Sequence, residues 1–314
     1  MRAYFVSMKT LSVTLIVKNE QDTLSRLLPM LHFADEIVVV DTGSTDNTVE
    51  VARHFTDKVY LFEWCDDFSK ARNYAISKAT CQYVMWLDAD DILSLDTQQT
   101  IASWKNSSDC ADVYYVRYVM QGQFPFWFWR ERIVRRCGKC RFKGFIHEAI
   151  TPFGVERYLD CDVTHNPTAT HEQRNLQIYN NALHSNRRFS LRDKYYYART
   201  LVECNQTDKA LPILHAFAHN PRAYAVDRVE AYKLLANAAL NADNHAAAIK
   251  YLAQSIKILP PSSEICCIFG QCYMNIGQYA NAAQWYRFAL SCSVNGGFVN
   301  EYYVKFLPNV QLSV

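Results

Sequence analysis

Two short apolar runs, each ending in a polar turn, constrain this chain more than any other feature. Val13-Thr14-Leu15-Ile16-Val17 is rich in β-branched residues and stops at Lys18-Asn19-Glu20, and Glu36-Ile37-Val38-Val39-Val40-Asp41 repeats that form about twenty-four residues later. Between them, residues 21–32 carry Leu24, Leu27, Leu28 and Leu31 at helical spacing. The pattern predicts a strand, a crossover helix and a second, parallel strand.

The form then recurs. Residues 42–47 read as a loop, and Asn47 with Glu50 three residues on predicts the start of a helix through Val51 and Phe55. Residues 58–64 read as a strand and 68–79 as a helix, and Tyr83-Val84-Met85-Trp86-Leu87 as a strand that stops at Asp88-Ala89-Asp90-Asp91. In a mostly parallel sheet, ligands bind outside the carboxyl ends of the strands, so Asn19, Asp41 and Asp88 should converge there. Residues 113–150 are strand-like and aromatic, and the run Phe124-Pro125-Phe126-Trp127-Phe128-Trp129 reads chiefly as sheet packing.

With 314 residues there is room for two domains, and a change of composition places the second. From about residue 190 the strand signals vanish in favour of Ala, Tyr and Leu at helical spacing. Ala236 and Gly270, Ala239 and Tyr273, and Ala248 and Ala282 each stand 34 residues apart, the period of tetratricopeptide helix pairs. An earlier copy fits Ala198 and Ala210, displaced by 38 residues because 221–227 lengthen a loop. The expected division is 1–170 for the α/β domain, 171–190 for a connecting helix and 191–314 for the repeats. The chain's end, from Tyr302 to Val314, is apolar and lacks the polar capping helix of a repeat array, which predicts a homodimer through this face or a further helix from a longer chain.

Charge and cysteine usage bound the partners. Lys and Arg number 33 against 31 Asp and Glu, a net charge of +2, which argues against nucleic acid or anionic lipid as the main partner. No apolar run approaches the ~18 residues of a membrane helix, so the chain is not expected to span a bilayer. Lys18-Asn19-Glu20 follows the first apolar stretch where a signal peptide would place small residues. Eleven cysteines, an odd number scattered along the chain, suit a reducing compartment, and a cytoplasmic location is expected.

Asp88-Ala89-Asp90 puts two carboxylates on one turn, where both can face a divalent cation that is itself partnered by a diphosphate, and Asp91 adds a third. The segment from Asp41 to Thr48 offers a carboxylate, hydroxyls and a helix N-terminus suited to a nucleoside or phosphate. Arg72-Asn73 lies on the helix that leads into the acidic strand, and an Arg there is a donor to phosphate unless it pairs with Asp66 or Asp67. Cys137, Cys140, Cys161 and His165 can be written as zinc-ligand spacing, but a single Cys-x-x-Cys does not support that reading.

Val17-Lys18-Asn19-Glu20, Asp41-Thr42-Gly43-Ser44-Thr45-Asp46, Asp67-Phe68-Ser69-Lys70-Ala71-Arg72-Asn73 and Leu87-Asp88-Ala89-Asp90-Asp91, in that order and spacing, resemble glycosyltransferase family 2. The branch resembled joins its catalytic domain to tetratricopeptide repeats and includes lipopolysaccharide-core transferases and peptide S-glycosyltransferases. Arg132-Ile133-Val134-Arg135 is similar to its Arg-x-Phe-Arg motif, with Val134 where Phe is commoner. Phe142-Lys143-Gly144-Phe145-Ile146-His147-Glu148 is similar to its aromatic-x-Gly-x-hydrophobic-His-Glu motif.

The resemblance implies a GT-A fold, Rossmann-like and mostly parallel, followed by an all-α repeat domain. It implies a nucleotide-diphosphate sugar donor, a UDP-sugar by expectation, with Mg or Mn as cofactor and inversion at the anomeric carbon. The acceptor it permits is a glycan, a lipid-linked glycan or a peptide. By position, Asn19, Glu20, Asp41, Ser44, Asp46, Arg72, Asn73 and Asp88 would bind the donor, and Asp88, Asp90 and His147 the metal. Neighbouring side chains on an extended segment point opposite ways, so His147 and Glu148 divide the work. His147 is expected on the metal and diphosphate and Glu148 as acceptor-side base, or the reverse.

Two other readings stay open from sequence. One is a repeat scaffold with a degenerate nucleotide-sugar-binding domain, which the intact acidic and His-Glu motifs disfavour. The other is a nucleotidyltransferase, which would place a Gly-rich basic loop after the first strand, where Lys18-Asn19-Glu20-Gln21 has no Gly.

Overall fold

A computed structural model describes residues 8–167, 171–292 and 299–313. The chain divides into two compact units, Met1–Ala169 and Thr170–Val314.

The first unit is built on β1 (Leu11–Val17), β2 (Glu36–Asp41), β3 (Val59–Leu61) and β4 (Tyr83–Leu87), which lie parallel in the order β3-β2-β1-β4. The sheet continues from β4 through β7 (Phe126–Arg135), β6 (Val113–Met120), β10 (Glu156–His165) and β5 (Asp91–Leu93). Beyond β4 it is mixed: β7 runs antiparallel to β4 and β6, while β10 is parallel to β6. A hairpin of β8 (Phe142–Lys143) and β9 (Ala149–Ile150) stands beside it.

Burial on both faces explains the unbroken apolar strands. Leu11, Val13 and Leu15 pack with Leu24, Leu27, Leu28 and Leu31 on one side, all at most 2% exposed, and with Ile101 and Trp104 of α4 (Leu95–Asn106). Val38 and Val40 meet Ala75 of α3 (Phe68–Lys78) on the other. Each such side chain, fully buried, contributes about 1.5–3 kcal/mol.

Three local expectations change. The helix expected over 21–32 is α1 (Gln21–Leu27) followed by a 3-10 turn, Leu28–Leu31, because Pro29 lacks the amide that would continue the α ladder. The strand expected over 58–64 is limited to β3. Asn47 precedes α2 (Thr48–Arg53) without a side-chain cap, and Asp46 serves instead, its Oδ1 accepting from Thr48 N at 3.0 Å.

The second unit is helical: α5 (Glu172–His184), then the pairs α6 (Leu191–Glu203) with α7 (Thr207–Ala218), α8 (Ala225–Asn241) with α9 (His245–Ser255), and α10 (Ser263–Asn275) with α11 (Tyr279–Ser291). The small residues picked out by the repeat period are buried apart from Ala239, which is half-buried: Ala198, Ala210, Ala236, Ala248 and Ala282 are all 0% exposed. Inside each pair the chain turns through a left-handed residue, Asn205, Asp243 and Gly277, at φ of 58, 57 and 74°. These are residue types that tolerate that conformation, and they stand at the repeat spacing.

The expectation of an uncapped C-terminal face is corrected. Residues Tyr302–Phe306 and α12 (Leu307–Leu312) are helical, and Tyr303, Leu307 and Leu312 pack against the cluster of Cys266, Ala282 and Tyr286. The chain covers that face itself, which removes the argument for a homodimer. Among the described residues no helix is long and apolar enough to cross a membrane.

Candidate active site

The loops after β1 and β2 are tied to each other. Asn19, at φ 56°, turns the chain so that its amide donates to Ser44 Oγ at 2.9 Å, while its Oδ1 accepts from Thr45 N at 2.7 Å. Glu20 N donates to Thr48 Oγ1 at 2.7 Å. Asp41 is 2% exposed and accepts from the amides of Gly43 and Ser44, each at 3.1 Å, and from the Ser44 hydroxyl. Asn19, Asp41, Ser44 and Asp46 therefore fix the shape of a rim at the sheet's carboxyl edge, with loop amides as their partners. Burial pushes the Glu20 carboxyl up, the hydrogen bond it accepts from Thr23 Oγ1 at 2.5 Å works against that, and the charges of Asp90, Asp46 and Asp88 add to the rise.

That turn follows β4. Asp91 is wholly enclosed and braces the turn by accepting from Asp88 N at 2.9 Å. It also meets Arg132 Nη1 at 3.1 Å and His165 Nδ1 at 3.2 Å. Asp90 Oδ1 lies 3.3 Å from the same ring nitrogen. His165 reaches the turn because β10 pairs with β5, which aligns His165 with Asp91. Burial alone would lower the His165 pKa, but its bonds to Asp90 and Asp91 hold it up at about 10. Asp88, Asp91 and His165 offer ligand atoms all within 4.8 Å of one another, the metal-type group found among the described residues. Two carboxylates, and the imidazole once an incoming cation displaces its proton, are a donor set that fits Mn or Mg with further oxygen ligands from a substrate.

Arginines brace this group from below. Arg132, 0% exposed, lies 3.7 Å from the centre of the Trp86 ring and 4.2 Å from that of Tyr118, and donates to Trp86 O at 3.1 Å. Its Nε and Nη2 are buried without a hydrogen-bond partner, and Nη2 stands 3.8 Å from Asp88 Oδ2. Burial works against ionisation of Asp88, yet Arg72 and then Arg132 hold its carboxyl well below the usual range.

Arg72 bridges two motifs, with Nη2 to Asp88 Oδ1 at 2.6 Å and Nε to Glu148 Oε1 at 2.5 Å. Its partners are these, and Asp67 instead caps α3 by accepting from Lys70 N at 3.2 Å. Arg72, expected as a donor to phosphate or as a partner of Asp66 or Asp67, is 7% exposed and paired with Asp88 and Glu148. Asn73, expected at the donor, has a structural role here. Its amide donates to Phe142 O at 3.0 Å and accepts from Phe142 N at 2.9 Å, so it splices β8 to α3.

Glu148 is 7% exposed, and burial pushes its carboxyl up against the opposing pull of Arg72. Gly144 makes the turn before it possible: at φ 96° an added Cβ would meet His147 O at 3.2 Å and Glu148 Cα at 3.4 Å. Arg130 Nη2 holds the Glu148 carbonyl at 2.9 Å. His147, expected as the third ligand, is half-buried and lies outside the Asp88, Asp91 and His165 group.

Sequence reasoning missed the role of His165. The signal present was a histidine ending a strand-like run, and it was read only with Cys137, Cys140 and Cys161. Those cysteines do not join it: Cys140 packs with Phe142 and Cys161 in the separate β1 core.

A parallel sheet carrying an acidic turn and a polar rim at its carboxyl edge defines a GT-A type domain, here followed by helical repeats. Residues 12–167 match the model of Glycosyl transferase family 2, and residues 263–291 that of a tetratricopeptide repeat. The first unit belongs to glycosyltransferase family 2. The chain is 34% identical over 146 residues to a TPR repeat-containing protein of Synechococcus elongatus, covering 46% of this chain and 36% of that protein. It is 25% identical over 265 residues to the prophage-derived glycosyltransferase SunS of Bacillus subtilis, covering 77% of this chain and 62% of that one. The chain thus spans between about a third and three-fifths of the length of these relatives. A solved glucosyl-3-phosphoglycerate synthase of Mycobacterium tuberculosis, in complex with Mn2+, UDP-glucose and phosphoglyceric acid, is 20% identical. That likeness covers 35% of this chain and 44% of that one at a TM-score of 0.29, too slight to carry an argument.

Proposed function

We propose that the chain is an inverting glycosyltransferase that moves a sugar from a nucleotide-diphosphate donor, a UDP-sugar, to a glycan, lipid-linked or peptide acceptor. The observation that carries this reading is the group of Asp88, Asp91 and His165 at the end of β4, beside the rim formed by the loops after β1 and β2. A divalent cation, Mn or Mg, held by Asp88, Asp91 and His165, with Asp90 against the same imidazole, would offset the charge of a departing diphosphate. The rim of Asn19, Glu20, Asp41, Ser44 and Asp46 would seat the nucleoside, its loop held in shape before the donor arrives. Arg72 fixes the Asp88 carboxylate in its ionised form, ready for a cation.

Glu148 is the acceptor-side base in this reading, its carboxyl raised by burial toward the range in which it can take a proton, and His147 beside it contacts the donor. The expected compartment is the cytoplasm.

The test is incubation with UDP-, GDP- and CMP-sugars and Mn, with nucleotide release measured for the wild type and Asp88→Asn. Release of a nucleoside diphosphate, lost in the variant, supports the reading. Formation of a nucleoside triphosphate and a sugar 1-phosphate when pyrophosphate is added would indicate a nucleotidyltransferase, and no release from any donor a degenerate binding domain.

A further inference from the structure

The aromatic run of β7 divides between the two faces of the sheet. Phe128 meets Tyr118, whose hydroxyl lies 3.4 Å from Asp88 Oδ2, so the even-numbered rings stand on the side of the acidic turn. Trp127 and Trp129 point the other way, and the register joins them to two more strands. Arg117 of β6 pairs with Trp129, Val119 with Trp127, Tyr115 with Tyr158 of β10, and Asp162 of β10 with Arg117.

The result is a row of rings across three strands. Trp127 and Trp129 have centroids 6.0 Å apart, Trp129 and Tyr158 4.9 Å, and Tyr158 lies stacked on Tyr115 at 5.1 Å. Tyr158 remains 60% exposed. Polar groups edge the row: Arg117 pairs with Asp162 and with Asp160, itself 88% exposed, and its guanidinium lies 6.0 Å from the centre of the Trp129 ring.

We propose that this face is a saccharide-binding surface, separate from the donor site, that takes a neutral glycan chain. A pyranose ring offers an apolar C–H face to an aromatic ring and hydroxyls at its edge that donate and accept hydrogen bonds. A row of Trp and Tyr beside exposed carboxylates and an arginine meets both demands. The charges choose among occupants. Arg117 is already paired with two carboxylates, so the patch carries no free positive charge for a phosphate backbone or an anionic headgroup. An apolar peptide would cover the solvated oxygens of Asp160 and Asp162, 88% and 43% exposed, and offer no donor in place of water.

The experiment titrates the full chain, without nucleotide or metal, with maltopentaose and with chitopentaose, followed by tryptophan fluorescence and calorimetry. At least one should bind saturably in about the millimolar range, and Trp129→Ala/Tyr158→Ala should weaken it at least about tenfold with the thermal midpoint little changed. Trp127→Ala is a second variant should the first fail to fold. Absence of saturable binding by the wild type, variants that bind as it does, or preference for heparin would each overturn the proposal. Because no donor is present, the result is independent of whether the transferase reading holds.

Discussion

Arg72 and Glu148, 76 residues apart in sequence, are joined through Nε and Oε1 at 2.5 Å, with both side chains less than a tenth exposed. The bond links α3 to the His-Glu segment, and the other end of the guanidinium holds Asp88, so one buried cation couples two motifs. Removing it strips Glu148, 7% exposed, of its partner and leaves Asp88 with Arg132 alone. Arg72→Met is expected to lower the unfolding free energy by about 3–5 kcal/mol, and Arg72→Met/Glu148→Met to lose less than the sum of the two single variants. Urea denaturation of the four proteins measures this, and strict additivity would sink the coupling.

A second expectation separates the two histidines. His165 contacts both Asp90 and Asp91, whereas His147 stands outside the group. His165→Ala should therefore weaken Mn2+ binding at least about tenfold, and His147→Ala by less than about threefold. Calorimetric titration with Mn2+ alone decides it. The reverse order would return the third ligand to His147.

Much of the frame was legible because it is local. Leu24, Leu27, Leu28 and Leu31 repeat at helical spacing, and Val13 to Val17, Thr14 apart, and Ile37 to Val40 are apolar on both faces, so helix and strand followed from period alone. The position of Asp88 at a strand end was equally local. His165 was not, because only the pairing of β10 with β5 brings it to Asp91, and no spacing along the chain encodes that register. Sequence offers Asp66 or Asp67 to Arg72, but otherwise shows the donors Arg72 and Asn73 and not their partners. The structure shows Glu148 and Phe142 already occupying them. Asp46 displaced Asn47 as the cap of α2 for a similar reason: which of two neighbouring acceptors reaches an amide depends on backbone angles that the residue types leave free.

Away from the site, Glu36 gives a pH-dependent contribution to stability. Burial opposes its ionisation, but Lys58, the Ser12 hydroxyl, and the Thr80 amide and hydroxyl, both at 2.8 Å, bring its pKa down from 4.5 to about 2. A carboxyl depressed on folding stabilises above its unfolded pKa, and that stability drains away as pH falls from about 4.5 toward 2. Glu36→Gln should then be less stable than wild type by about 2 kcal/mol at pH 7, with the gap nearly constant down to pH about 5 and closing below it. Urea titrations at a series of pH values test this, and a gap unchanged at pH about 3 would contradict it.

The last expectation concerns Gly270, which by intrinsic preference weakens α10. A Cβ added there would meet the Tyr286 ring at 2.7, 2.7 and 2.9 Å, and Tyr286 is itself 1% exposed. Gly→Ala inside a helix is otherwise worth about 1 kcal/mol in favour of Ala, so the sign rests on whether the ring can move. A buried ring held between α10 and α11 has little room, and overpacking of this kind costs about 1–3 kcal/mol. Gly270→Ala should therefore lower the thermal midpoint. The sister repeats supply the rescue: at the same separation of 16 residues they pair Ala236 with Leu252 and Ala198 with Leu214, all at most 0% exposed. Gly270→Ala/Tyr286→Leu reproduces that pair and should recover at least half of the loss, whereas Gly270→Ala/Tyr286→Phe keeps the ring and should not. A single Gly270→Ala that raises the midpoint would mean that the ring yields and that Gly270 is not needed for the helices to meet.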